Sequence, residues 1–143
     1  MDDLNSLPIV EQAGAVMYRC DDNGEIQILT VHPKKDPTAR IFPKGHIEEG
    51  ESDIEAAARE CLEEAGMSGT IIGYAGEREF THKNKRCRVK YHLMRYVSKE
   101  NDGEPGRNPQ WNSVSKTNEL LPYESLKQIL DNCVRLIADG ADT

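Results

Sequence analysis

Apolar residues recur along this chain at two different spacings, and the spacing separates strands from helices. "AGAVMYRC" (13–20) and "IQILTVHP" (26–33) are runs rich in Val, Ile, Leu and Thr on either side of "DDNGE". Asn-Gly between such runs is a hairpin signal, because both central residues of a tight turn take positive φ, and it predicts two antiparallel strands. "DPTARIFPKG" (36–45) carries two prolines and a glycine and predicts a loop with a short extended piece. "TIIGYAGEREF" (70–80) and "CRVKYHLMRYV" (87–97) predict a second strand pair, with "THKNKR" as a polar turn. "SKENDGEPGRNPQ" (98–110) is turn-forming throughout. A helical period takes over at the end of the chain. Leu126, Ile129, Leu130, Cys133, Val134 and Ile137 share one stripe, Pro122 opens the helix and Gly140 closes it, so this helix is expected to pack on a sheet.

A second helix is predicted between these regions. Ser52 and Glu55 fit a capping box and Gly66 fits the position just past a helix end, giving Asp53 to Ala65. Its apolar side reads Ile54, Ala57, Ala58, Cys61, Leu62 and Ala65. Glu60 and Glu64 then project together beside that stripe, with Arg59 and Glu63 on the opposite flank.

Charge changes the picture at this helix. From Gly45 to Gly66 there are eight acidic residues and one Arg, a sum of −7, and the whole chain also carries −7. The imbalance is therefore local. Arg59 and Glu63 at i, i+4 attract, whereas Glu60 and Glu64 at the same spacing repel. Near a partly buried edge that repulsion is roughly 3 kcal/mol for charges about 5 Å apart at an effective dielectric of 20. A divalent cation removes it, and oxygen-rich clusters with few protein ligands suit Mg²⁺ that also holds substrate phosphates. Gly45 and Gly50 echo a phosphate-cradling loop, but Glu51 stands where such a loop has Lys, so direct phosphate binding by this loop is excluded and metal-mediated binding remains.

The rest of the composition narrows the class. With 143 residues, 37% apolar and 30% charged of both signs, the chain is expected to be one globular domain over 1–143, core about 8–138. Cys20, Cys61, Cys87 and Cys133 form no C-x-x-C pair and predict free thiols in a reducing, cytoplasmic setting. "MDDLNSLPIV" has no basic n-region, and no run approaches bilayer length, so no membrane partner is expected. An acidic chain also argues against general nucleic-acid affinity.

Gly45, five residues, Glu51, seven residues and then "RECLEEAGM" resembles the Nudix box, G-x5-E-x7-R-E-U-x-E-E-x-G-U, where U is a bulky apolar residue. Gly45, Glu51, Arg59, Glu60, Glu63, Glu64 and Gly66 match every fixed position, and Cys61 stands at the first U. At about 7% usage per residue type, seven set positions match by chance on the order of 10⁻⁸ per start point. "FPKGHIEEGE" and "LLPYESLKQIL" look most like the dinucleoside polyphosphate and diphosphoinositol polyphosphate hydrolase branch. Asn112 after Trp111 and the polar run "SKTNE" depart from that branch. Trp111 itself is read as a core anchor or a ligand contact.

The resemblance implies an α+β fold, an α/β/α sandwich with a mixed central sheet, the box helix on one side and the C-terminal helix on the other. It also implies a Mg²⁺-dependent hydrolase, Mn²⁺ serving as a substitute, that cleaves a pyrophosphate linkage in a small phosphorylated substrate such as a diadenosine polyphosphate. Diphosphoinositol polyphosphate, an RNA 5′ end or cap, and a non-catalytic nucleotide-sensing module are the alternatives, and the assembly is a monomer or homodimer. Glu60 and Glu64 would hold the metal, with Glu63 and the Gly45 carbonyl contributing. Arg59 would orient the glutamates, Glu51 would support the loop and helix start, and Glu60 or Glu64 would take the proton from water. Glu104 would be an extra base or ligand, with Glu77 and Glu79 as alternatives. Lys44 and Arg40 beside the turn, and the basic group Lys83, Lys85, Arg86 and Arg88, with Lys90, are the candidates for substrate phosphates. His46, His82 and His92 share no metal spacing.

Overall fold

The run ending at Cys20 is the spine of the sheet. In the computed structural model, which describes residues 6–140, it forms β1 (Ile9–Cys20), whose alternating side chains feed two separate cores. The tips 1–5 and 141–143 of the expected 1–143 domain lie outside the described residues. One edge of β1 pairs with β2 (Ile26–Thr30) at Tyr18↔Ile28 and, lower down, with β3 (Lys44–His46) at Ala13↔Gly45, both antiparallel. The other edge pairs in parallel with β5 (Lys85–Lys99), from Ile9↔Arg86 to Tyr18↔Arg95, and β5 pairs antiparallel with β4 (Met67–His82). β6 (Gln110–Ser113) lines β2. The mixed sheet therefore follows β4-β5-β1-β2-β6, with β3 beside β1.

Helices cover the two faces. Ala13, Ala15 and Met17 point to α1 (Asp53–Ala65), whereas Val16 and Tyr18 point to α3 (Glu124–Ala138). This is the sandwich the sequence implies. α3 buries Leu126, Ile129, Leu130 and Cys133 as its stripe predicts. A short α2 (Val114–Leu120), capped by the Ser113 side chain, occupies "SKTNE", which the apolar pattern left unassigned. Among the described residues no helix is long and apolar enough to cross a membrane, and all four cysteines are free thiols.

Three local expectations are corrected. Between β1 and β2 only Gly24 takes positive φ, at 81°, and Asp21 closes the loop by accepting Asn23 and Glu25 amides on its carboxylate, so Asn-Gly does not form a two-residue turn here. The two-residue turn lies instead between β4 and β5, where Lys83 and Asn84 both have positive φ (51° and 59°) and the strands extend into "THKNKR". The buried side of α1 is rotated: Ala56, Ala57, Cys61, Glu64 and Ala65 are buried, while Ile54 is 47% and Leu62 37% exposed. A carboxylate thus takes the place of two aliphatic side chains at the sheet.

Candidate active site

The site begins with how α1 is anchored. Ser52 Oγ accepts the Glu55 amide at 3.1 Å while Glu55 Oε1 accepts the Ser52 amide at 3.0 Å, completing the capping box. At the other end Gly66 takes φ 72° and donates its amide to the Leu62 carbonyl. The direction of every side chain on α1 is set by these ends and by burial of Cys61 and Ala65.

Arg59 gathers four of the acids around it. Its Nε donates to Glu51 Oε2 at 2.7 Å and Nη2 to Oε1 at 2.9 Å, a two-pronged grip across the loop. Nη1 reaches Glu60 at 2.8 Å and Glu63 at 3.2 Å, Glu48 lies 3.6 Å away, and Nη2 also donates to the His46 carbonyl. The hydrogen bonds from Arg59 hold the Glu51 carboxyl down to about 2. Glu51 also accepts the Glu48 amide, so it ties the loop to the helix through Arg59.

Glu64 is placed differently. It is 2% exposed, with Oε2 accepting the Lys44 amide at 2.9 Å and Oε1 3.1 Å from Arg107 Nη2. Burial pushes its carboxyl up to about 8 against the pull of Arg107, and the charges of Glu60 and Glu104 add to the rise. Gly45 sits over Glu60 so closely that an added Cβ would lie 2.2–2.5 Å from the carboxylate. The turn from β3 and the two glutamates on consecutive turns of α1 are therefore one unit.

A groove opens beside this unit in two joined compartments. The first, about 350 Å³, has Lys34, Lys35, Lys44, Lys83 and Arg107 on its walls together with Glu64. The second, about 440 Å³, is lined by Arg78, Phe80, Tyr91, Tyr123 and Leu126, and shares Pro33, Ile41, Lys44 and His82 with the first. Burial lowers the Lys44 ammonium below its usual range, opposed by Glu64.

The expected substrate cations divide accordingly. Lys44 and Lys83 line the groove. Arg40 is buried and occupied by protein groups, its guanidinium donating to Thr30 Oγ1 and to the carbonyls of Thr30 and Asn108. Arg88 lies on the α1 face, paired with Glu11 at 3.0 Å and Glu79 at 3.1 Å, with Glu77 at 3.7 Å, which also accounts for those two glutamates. Neither Lys85 nor Arg86 lines the groove: Arg86 is even-numbered on β5, whose even side chains point away from it, and Lys85 sits at the strand's first residue, beyond the two compartments. Glu104 pairs with Arg107 at 3.1 Å, and its amide donates to the Glu64 carbonyl. Trp111 packs against Tyr96 with Arg19 over its ring at 4.2 Å, the core-anchor reading. His92 is buried and hydrogen-bonded to Asp53 at 2.7 Å.

Arg107, Lys34, Lys35, Arg78 and Tyr123 escaped the sequence reading. Each comes from a loop or a strand remote from the box, and no spacing rule links them to it.

A NUDIX domain model matches residues 10–136, nearly the whole described chain. The chain belongs to the Nudix hydrolase family. It is 30% identical over 138 residues to Arabidopsis thaliana Nudix hydrolase 16, mitochondrial, covering 82% of this chain and 76% of that one. It is 31% identical over 124 residues to Nudix hydrolase 21, chloroplastic, of the same plant, of which it spans 63%. The asymmetrical bis(5′-nucleosyl)-tetraphosphatase of Sus scrofa is 30% identical over 116 residues, 76% of this chain and 79% of that one. Among solved structures, a binary complex of the C. elegans Ap4A hydrolase superimposes with a TM-score of 0.77 at 25% identity, covering 91% of this chain and 98% of that one. The last two agree with the dinucleoside polyphosphate branch.

Nudix hydrolases generally use a divalent metal ion, and the donors present here fit one. Among the described residues no three His, Cys, Asp or Glu side chains converge as ion ligands, because Glu60 and Glu63 turn to Arg59 and Glu104 turns to Arg107. The fit lies in the chemistry: Glu64 is buried next to the charge of Glu60, all donors are hard oxygens, and a cation relieves their repulsion.

Proposed function

We propose that this Nudix hydrolase cleaves a phosphoanhydride bond of a dinucleoside polyphosphate in a Mg²⁺-dependent reaction. The observation that carries the reading is the two-compartment groove, one half cationic and the other aromatic, joined at Lys44 with Glu64 on the wall. A polyphosphate flanked by a nucleoside needs both halves. Names among the relatives, an Ap4A hydrolase and a bis(5′-nucleosyl)-tetraphosphatase, support the substrate class.

Glu60 and Glu64 would hold the ion, with Glu63 and the Gly45 carbonyl beside them. When bound, Mg²⁺ supplies Lewis acidity toward phosphoryl oxygens, a more acidic water and a template for attack. The chain's own residues do the remainder. Lys34, Lys35, Lys44 and Lys83 neutralise the non-bridging oxygens and hold the phosphate chain in line with the glutamates. Arg59 fixes Glu60 through its grip on Glu51, and Arg107 and the Lys44 amide fix Glu64. Glu60 or Glu64 accepts the proton of the attacking water. Phe80 and Tyr123 offer ring faces to a base.

The test is cleavage of diadenosine and diguanosine tetraphosphate with Mg²⁺ present, products identified by mass. Hydrolysis of either, with kcat falling about 10²–10⁴-fold in Glu64→Gln, is expected. No cleavage at any Mg²⁺ level, or a fully active Glu64→Gln, removes the reading.

A further inference from the structure

The aromatic half of the groove contains a cation of its own, Arg78. Arg78 Cζ lies 4.5 Å from the Phe80 ring centroid and 4.7 Å from that of Tyr123, so the flat guanidinium is held between two rings. Its Nε donates to Ser125 Oγ at 2.6 Å, and a further N–H donates to the Tyr91 hydroxyl. A guanidinium has five N–H groups, so Arg78 can keep these bonds and still donate to a ligand. Tyr123 is 53% exposed, so solvent and ligands reach the same layer.

We propose that Arg78 makes this compartment select a base that presents acceptors on its edge, a 6-oxopurine such as guanine, over adenine. The inference rests on the dinucleoside polyphosphate reading of the groove and adds the identity of the base to it. A purine entering beside the guanidinium lies in its plane, against the outer edges of the same rings, and meets Arg78 edge to edge. Two adjacent acceptors, O6 and N7 of guanine, match the guanidinium's parallel N–H pair. Adenine offers N7 but places an amino donor where guanine has O6. Lys44, the other charged side chain lining the compartment, also donates only, and among the described residues no carboxylate side chain lines it. An adenine amino group therefore faces cations without an ionic acceptor, and a site whose donors fit one edge discriminates against the edge that lacks their partner. Lysine carries the charge without the planar fork, so charge alone does not reproduce the effect.

The experiment is calorimetric binding of GMP and AMP to the full chain in EDTA, alongside hydrolysis of the two dinucleotides with Mg²⁺. Wild type should bind GMP about tenfold or more tightly than AMP. Arg78→Gln and Arg78→Lys should bring the two nucleotides within about twofold, and Tyr123→Ala should weaken both together; melting curves identify any variant that is unfolded. Equal or tighter binding of AMP by wild type, binding of neither nucleotide, or a guanine preference surviving in Arg78→Gln overturns the proposal. The two readings fail separately. Cleavage of the dinucleotides with no guanine preference removes the role of Arg78 alone, whereas guanine-selective binding without cleavage removes the hydrolase reading and leaves the base selectivity standing.

Discussion

Arg107 and Glu64 meet at 3.1 Å in a nearly dry setting, 8% and 2% exposed, although one comes from the loop before β6 and the other from α1. Breaking a buried pair by removing one member leaves the other charge without compensation, at about 3 kcal/mol. Above about pH 8, where the Glu64 carboxyl is ionised, Arg107→Ala should lose stability on that scale in urea unfolding with EDTA present. Glu64→Gln keeps the acceptor for the Lys44 amide and removes the stranded charge, so Arg107→Ala/Glu64→Gln should be less destabilised than the two single losses added together. Strict additivity would show that the pair is not coupled.

Arg59→Lys should be far from conservative. A lysine cannot hold both oxygens of Glu51 while reaching Glu60 and the His46 carbonyl. Loss of such an orienting partner lowers metal affinity or activity by about 10–100-fold. A Mg²⁺ titration of activity should show it. A wild-type midpoint and rate would mean that Glu60 is positioned without Arg59.

Acid should act on the same grip. The Glu51 carboxyl lies at about 2 in the folded chain, below the ordinary value of 4.5. A depressed folded value means the contribution to stability is present above about 4.5 and is lost as pH falls toward about 2. Glu51→Gln should flatten that part of the stability profile, read from thermal melts between those limits. Identical acid slopes in the two proteins would refute the assignment.

Gly45→Ala separates activity from folding. The atoms nearest the new methyl belong to the far end of the Glu60 side chain, which can swing away, so melting should shift little. The displaced carboxylate should weaken Mg²⁺ use strongly. Substantial unfolding, or undiminished turnover, would each contradict the close approach of Gly45 and Glu60.

What was legible in the sequence depended on how local the signal is. α1 could be bounded because both of its ends are written in adjacent residues, Ser52 with Glu55 and then Gly66. Its buried face could not, because the hydrophobic stripe through Ile54 and Leu62 competes with the demand of Glu64 for the Lys44 amide and Arg107, and the polar partners decide the rotation. The Arg59–Glu63 pair, at i, i+4 within one motif, was readable; the grip of Arg59 on Glu51 was not, because only the folded loop brings Glu51 back against the helix. Arg107 and Arg78 reach the groove through tertiary pairing, which no window along the chain contains. The basic hairpin illustrates the same limit: Lys83 reaches the groove from the turn between β4 and β5, while Arg88, within β5, pairs with Glu11 and Glu79.

The parallel seam between β1 and β5 has a consequence for how the chain is made. β1, with an apolar core of Ala13 to Tyr18, leaves the ribosome well before its long partner from Arg86 to Arg95, which is synthesised only after the whole of α1. Pairings so distant along the chain slow folding and leave the waiting strand open to aggregation. Until β5 arrives, one apolar edge of β1 stays open, and the groove walls that follow β5 in the chain, Arg107 and Tyr123, can be added only after it.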